Sequence, residues 1–349
     1  MKIAFFAAHP SQYYIFRELI RCLPPNYQPV LICYEKDVLR DLLENDKLSI
    51  PYYLITDKKK NKHFRFAFAF VKKIWSVFKL IKQNRIDVIF GSSITLIFAA
   101  KMSRIPSVIF TEDDIGVINL SAKLGYPWVD FIISPKICNL GRYDNKSVRY
   151  DGYQKLAYLH PSVFKTDGTI LRKYLLNPKA NYFLLRFSAL SAHHDIGVTG
   201  ISIEFAEEII NVLRLKGEVL ISSERNLPSH LECLRIKINP LDLHQLLASA
   251  SILISDSQSM SVEASILGVP SIRISSLVGK ISVLEELEHK YKLTFGFVSS
   301  ERERILNKIG EIIESDNTLE FQRRRNRMLN EKVDVNKFFV DFIKTEFRG

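Results

Sequence analysis

The 349-residue chain carries 49 Lys and Arg against 38 Asp and Glu, a net charge of +11. Its length exceeds the size at which one core usually stops growing, so two domains are expected; 47% apolar and 25% charged residues exclude a disordered chain. No run approaches the roughly 20 apolar residues of a membrane-spanning helix. The opening apolar run, Ile3–Ala8, is too short for a signal-peptide core, so a cytoplasmic protein is expected.

Apolar runs predict strands at Lys2–Ala8, Pro29–Tyr34, Tyr52–Ile55, Asp87–Phe90, Ser107–Phe110 and Phe131–Ser134. Amphipathic stretches between them predict helices at Gln12–Cys22, Asp37–Leu43, Phe64–Gln83 and Thr95–Ser103. Near-continuous apolar strands separated by helices signal a parallel sheet covered on both faces. The pattern breaks near Val148–Ser162 and then restarts. Strands are predicted at Tyr182–Arg186, Glu218–Ser222, Ile236–Asn239, Ile252–Ser255 and Pro270–Ile274. Helices fit Ile201–Leu213, Leu241–Ala248, Met260–Leu267 and Ile281–His289, and the tail from Asp316 is helical in pattern. The α/β organisation expected is a tandem of two Rossmann-like domains, 1–160 and 178–332, with parallel sheets facing a central cleft. A last helix within 333–349 is expected to pack back on the first domain.

Cys22, Cys33, Cys138 and Cys233 are scattered, with no Cys-x-x-Cys pair and no histidine at zinc-ligand spacing. Reduced core thiols are expected, and no metal. The positive charge is concentrated: eight lysines and two arginines face one acid between Asp57 and Arg85. On a helix there, Phe70, Ile74, Val77, Phe78 and Ile81 share one side and can pack on a sheet. In Lys58–Phe68, aromatics beside lysines suit contact with an anionic membrane surface, or else form a solvated basic edge. No recognition motif accompanies the charge, so nucleic acid is not an expected partner.

Ligands of parallel sheets bind beyond the carboxyl ends of the strands, which selects three regions. In Ile252–Ile274, the turn Asp256-Ser257-Gln258-Ser259 precedes a helix whose first N–H groups, with the Ser257 and Ser259 hydroxyls, suit a pyrophosphate. Glu263, about one turn further, is positioned to accept from ribose hydroxyls; plain N-capping by either serine is the alternative. In Arg186–Gly200, Arg186 can neutralise phosphate, and His193 or His194 can donate to a diphosphate oxygen, with His194-Asp195 preferred. Ser188 belongs to the same loop. In the first half, His9 follows the first strand, and Glu112 leads the acids Glu112-Asp113-Asp114 after Ser107–Phe110. Glu112 is the ligand-facing candidate, and Asp113 or Asp114 is a candidate cap for the next helix.

The segment around Asp256, Ser257 and Glu263 resembles the donor-binding strand, turn and helix of GT-B glycosyltransferases and non-hydrolysing UDP-N-acetylglucosamine 2-epimerases. That resemblance implies pyrophosphate contacts from Ser257, ribose contacts from Glu263, and a sugar- or diphosphate-facing histidine in the Arg186–Gly200 loop. Glu112 matches an epimerase catalytic carboxylate, but where the epimerase has a further acid this chain reads Gly91-Ser92-Ser93. A closer resemblance, to the DUF354 family grouped with the GT-B superfamily, covers most of the chain. It rests on His9-Pro10, Tyr150–Tyr153 with Leu156–Pro161, Ser191–Gly197, Ser222–Arg225, Ser255–Glu263, and Val278–Lys280 leading to Leu284–Glu288.

The function these readings imply is glycosyl transfer, in cell-surface polysaccharide or glycolipid synthesis. The donor is a nucleotide-sugar, serving as substrate with no separate cofactor, and the acceptor is a saccharide or a lipid-linked saccharide. His9, Glu112 and His194 are the catalytic candidates. Arg186, Ser188, His193, Asp195, Asp256, Ser257, Gln258, Ser259 and Glu263 are the donor-binding ones. Nucleotide-sugar 2-epimerisation and non-catalytic nucleotide-sugar binding are the alternatives, and peripheral attachment at the inner membrane face would suit a lipid-linked acceptor.

Overall fold

The computed structural model describes residues 1–35, 37–46, 48–56, 64–174, 181–189, 200–314 and 318–348, with backbone alone at 37 and 64–67. The chain divides into two compact units, Met1–Tyr158 with Val333–Gly349, and Leu159–Lys332.

The first unit is built on seven strands: β1 (Lys2–Ala7), β2 (Gln28–Glu35), β3 (Tyr52–Thr56), β4 (Val88–Gly91), β5 (Ser107–Phe110), β6 (Phe131–Pro135) and β7 (Ser147–Tyr150). Their order is β3-β2-β1-β4-β5-β6-β7, and every pairing is parallel. Among the described residues it is flanked by α1 (Pro10–Cys22), α2 (Asp37–Asn45), α3 (Phe64–Asn84), α4 (Ile94–Ser103) and α5 (Asn119–Gly125), with a single turn, α6, at Leu156–Leu159. Successive side chains on a strand point to opposite faces, and here both faces are buried, which is why the strands read as unbroken apolar runs. Ala4 and Phe6 of β1 join Val77, Ile81, Leu96, Ile97 and Ala122 in the core beneath α3, α4 and α5. Phe5, between them, turns the other way and meets Phe16 of α1 and Phe90 of β4.

The second unit repeats the plan with five strands: β8 (Tyr182–Phe187), β9 (Glu218–Ser223), β10 (Ile252–Ser255), β11 (Ser271–Ile274) and β12 (Thr294–Phe297). All pairings are parallel in the order β12-β11-β10-β8-β9. Its helices are α7 (Thr169–Lys173), α8 (Ile203–Arg214), α9 (Ser229–Glu232), α10 (Leu243–Ala248), α11 (Gln258–Leu267), α12 (Ser282–Glu285), α13 (Arg302–Glu314) and α14 (Thr318–Glu331). Local chemistry sets the ends of these helices. Ser202 caps α8 by accepting from Phe205 N–H, and Gly268, at φ +77°, closes α11 in the left-handed conformation that a side chain disfavours.

The last helix, α15 (Val335–Glu346), belongs to the first unit. Asp334 caps it through Lys337 N–H, and fully buried Phe339 packs edge-on against Phe110 at 4.8 Å between centroids. Asn336 donates to Ala157 O at 2.7 Å, and Tyr27 OH donates to Phe347 O at 2.9 Å.

The structure departs from the sequence expectations in three respects. Ile236–Asn239 is not a strand: Asn239 caps a short 3-10 turn opened by Pro240, and the approach to β9 is an isolated bridge, Ile221 to Arg235, just before the segment. Two short edge strands, β7 and β12, carry too little apolar pattern to be read from sequence. The helix expected at Ile281–His289 is present, as an α turn at Ser282–Glu285 continued by a π turn at Glu286–Lys290. Of the cysteines, Cys33 and Cys138 are buried as core thiols, whereas Cys22 and Cys233 lie at the surface.

Candidate functional site

In the second unit the chain runs from β8 outward to β9 and then returns to place β10 on the other side of β8. The connection therefore reverses between β8 and β10, the place where open parallel sheets bind ligands. Two segments emerge there: Arg186–Phe187–Ser188 and Ser255–Asp256–Ser257.

Ser257 is the N-cap of α11, its hydroxyl accepting from Met260 N–H at 3.4 Å. A ten-residue helix capped this way has its first-turn amides and the positive end of its dipole at the carboxyl edge of the sheet. Ser257, Gln258 and Ser259 are half-buried at that turn. Capping and anion binding are compatible here, because the cap engages one of several amides.

Asp256 is fully buried and serves as a junction. One carboxylate oxygen accepts Ser188 N–H at 2.7 Å; the other accepts Ile201 N–H at 3.4 Å and pairs with Arg225. Arg225 in turn donates to Ser188 O at 2.9 Å and Ile201 O at 3.1 Å. The two residues thus tie down both flanks of the 190–199 segment. Gly200 lies against Asp256: a Cβ there would come within 2.5 Å of its Oδ2. The role of this glycine in the structure is close approach to Asp256.

Arg186 extends from the end of β8, donating from Nη1 to Ser222 Oγ at 2.8 Å and pairing through Nη2 with Glu224. Its buried Nε–H has no hydrogen-bond partner among the described residues. Glu263 is 5% exposed on the first turns of α11 and faces His244 of α10, with 3.5 Å between Oε1 and Nε2. Gln258 accepts from Arg273 at 3.3 Å, and Arg273, fully buried at the end of β11, also reaches Glu285 and Glu288.

In the first unit the reversal lies between β1 and β4. His9 follows β1, is exposed, and caps α1: its Nδ1 accepts from Ser11 N–H at 3.3 Å, with Pro10 at the first helical position. Ser92, after β4, donates to Phe110 O at 2.7 Å. Glu112, beyond β5, is 7% exposed. It accepts Gln154 N–H at 2.7 Å and pairs with the buried Lys155 ammonium. Its neighbourhood is polar yet enclosed: Tyr150 is raised well above the usual phenol range, by burial first and then by the Glu112 and Cys138 charges. Tyr150 Oη and Gln154 Nε2 are buried with no hydrogen-bond partner among the described residues. Asp114 accepts Asn139 N–H at 2.6 Å, and α5 begins after Ile118 with no side-chain cap, so neither Asp113 nor Asp114 caps that helix.

Of the donor-side candidates, Arg186, Ser188, Asp256, Ser257, Gln258 and Ser259 meet at the β8–β10 reversal, and Glu263 lies further along α11. His193, His194 and Asp195 fall outside the described residues, as do Lys58–Lys62 and His63. Sequence reasoning singled out none of Arg225, His244, Arg273 or Lys155 for a role. Arg273 had a signal, a charge inside the apolar run of β11; Arg225 stood in the Ser222–Arg225 motif and Lys155 fell between two motifs, with nothing local to mark the partner of either.

No functionally curated protein matches the chain. Among solved structures it is similar to a UDP-GlcNAc 2-epimerase from Neisseria meningitidis bound to UDP-GlcNAc, with TM-score 0.66 and 13% identity, covering 99% of this chain and 100% of that one. It is similar to a UDP-N-acetylglucosamine 2-epimerase from Rickettsia bellii, with TM-score 0.64, 17% identity and 99% coverage of each chain. A third is MurG from Acinetobacter baumannii, with TM-score 0.59, 13% identity and 99% coverage of each chain. At such identities the likeness establishes the fold, and the tandem of parallel α/β units has the GT-B fold. Residues 55–346 match the family described as protein of unknown function (DUF354), and the chain belongs to that family.

Proposed function

We propose that the chain is a glycosyltransferase that takes a sugar from a nucleotide donor bound by its second unit. The observation that carries this reading is the pairing of the α11 N-terminus with Arg186 at the β8–β10 reversal. Helix amides and a guanidinium together suit a diphosphate, whose negative charge grows as the glycosidic bond breaks. Arg186 would exchange its Glu224 contact for a phosphate oxygen, and its Nε–H, without a hydrogen-bond partner among the described residues, supports that role. Ser257 and Ser259 would hydrogen-bond the diphosphate, Glu263 the ribose, and His194 would donate to the departing oxygen. With the charge neutralised by these groups, the reaction would need no metal. Glu112 or His9 would take the proton of the acceptor hydroxyl. The acceptor in this reading is a saccharide carried on a lipid, met at an anionic membrane surface during surface-polysaccharide synthesis.

Nucleotide-sugar 2-epimerisation is the second reading, favoured by the likeness in fold to UDP-GlcNAc 2-epimerases over nearly the whole chain. It must move a ring proton, and β4 ends at Gly91 and is followed by Ser92-Ser93, with the Ser92 hydroxyl engaged by Phe110 O. Incubation with UDP-sugars in deuterated water separates the two. Transfer releases nucleoside diphosphate only when membrane-derived acceptor is added and leaves the sugar C2 hydrogen in place. Deuterium at C2 without acceptor establishes epimerisation and rejects transfer. Nucleotide-sugar bound with no turnover leaves a binding protein.

A further inference from the structure

The outer face of α3 is apolar and basic at once. Phe68, Val71 and Trp75 are 73%, 61% and 48% exposed. Lys72, Lys79 and Lys82 are exposed on the same helix. At 3.6 residues per turn, positions 68, 71, 72, 75, 79 and 82 fall on one side of the helix. The opposite side is the one that packs: Val77 and Ile81 are buried in the core under the sheet. Large apolar side chains at i, i+3 and i+7 on an exposed face are not accounted for by the fold, since they add nothing to the core.

The charge of this stretch of sequence is one-signed. Between Asp57 and Asp87 the sequence holds eight lysines and two arginines and no acid, while the rest of the chain is close to neutral. The same layer of the unit continues through α4 into α5, where Leu120 and Leu124 are 71% and 53% exposed beside exposed Lys123. No helix of the described residues is long and apolar enough to cross a membrane.

We infer that the α3 face is a docking surface for an anionic phospholipid bilayer. Phe68, Val71 and Trp75 enter the headgroup region, and Lys72, Lys79 and Lys82 lie among the lipid phosphates. A helix with aromatics flanked by lysines binds in the plane of such an interface without spanning it. Each lysine near an anionic surface strengthens the contact, which weakens with salt. A second copy of the chain is a poorer occupant: a two-fold contact through this face would set lysines against lysines. The lipid-borne acceptor proposed above gives the contact its purpose, and the inference rests on that reading for purpose only.

The test is co-sedimentation of the full chain with phosphatidylcholine vesicles, with and without about one-third phosphatidylglycerol. Expected is binding to the anionic vesicles that salt reverses, and at least tenfold weaker binding to the neutral ones. K72E/K79E and F68S/W75S should each lower anionic-vesicle binding about tenfold or more, whereas Leu215→Ser, an exposed leucine of the second unit, should not. Equal binding to both vesicles, no binding, or variants that bind like wild type would overturn the inference. So would a concentration-dependent dimer that F68S/W75S dissolves while vesicles fail to bind. Nucleotide binding by the same variants is read separately by calorimetry, so a failed donor site and a failed membrane surface give different results.

Discussion

Asp256 and Arg225 form an ion pair that closes on the backbone of both Ser188 and Ile201, so four hydrogen bonds and one charge pair converge on the flanks of the 190–199 segment. The Asp256 carboxylate is completely enclosed. Replacing it by alanine strands two backbone amides and a half-buried guanidinium. Asp256→Ala is expected to lower the stability of the second unit by about 3 kcal/mol, read by urea denaturation. A loss below about 1 kcal/mol would show that the junction is not structural.

Gly200 is the steric counterpart of that junction. A methyl group there meets Asp256 Oδ2 at 2.5 Å and Asp256 Cβ at 3.0 Å. Gly200→Ala should cost about 1–3 kcal/mol through overpacking. Gly168→Ala, where a Cβ meets nothing within 4 Å, is the control and should be neutral or slightly stabilising. Indistinguishable melting of the two variants would remove the close-approach explanation.

The Glu112–Lys155 pair has both partners buried in the first unit. Breaking it from one side leaves an uncompensated charge, so Lys155→Met alone is expected to cost about 3–5 kcal/mol. Neutralising both, in E112Q/K155M, should recover a large part of that loss, giving a coupling of about 2 kcal/mol in a double-mutant cycle. Additive losses would mean that the two charges do not interact.

Buried thiols and phenols give the fold a one-sided pH dependence. Burial pushes the Cys33 thiol from 9.0 up to about 12, and it raises Cys138, Tyr126 and Tyr182 as well. These acids are held protonated in the folded chain, so the unfolded chain loses its protons first. Their contribution is complete below pH 9 and drains away as pH rises through 9 to 12. Denaturation midpoints should therefore fall steadily above pH 9. At neutral pH a thiol reagent should label the exposed Cys22 and Cys233 and leave Cys33 and Cys138 protected until unfolding. A flat alkaline profile or four accessible thiols would contradict the buried environment.

The parallel sheets were legible because burial on both faces leaves unbroken apolar runs such as those of β1, β5 and β10. Edge strands β7 and β12 escaped for the same physical reason, as one flank is unpaired and their composition is mixed. Motif position pointed to Arg186, Ser257 and Glu263 because the carboxyl ends of strands can be read from the strand pattern. Their partners could not be. Asp256 meets Arg225 from 31 residues away, and Glu112 meets Lys155 across 43, so only folding reveals that these acids face cations. Glu112 and Asp256 look alike in sequence, as acids after apolar strands, and both turn out to be enclosed by internal bonds.

In the function proposed above, the second unit holds a nucleotide-sugar at the start of α11. Calorimetric titration of UDP-sugars into wild type and Ser259→Trp tests it most directly, because Ser259 is half-buried on the first turn and a bulky side chain there would obstruct a diphosphate. Expected is binding to wild type and at least tenfold weaker binding to the variant, about 1.4 kcal/mol, with unliganded melting little changed. Equal affinity of the two proteins, or no nucleotide-sugar bound by either, would contradict it.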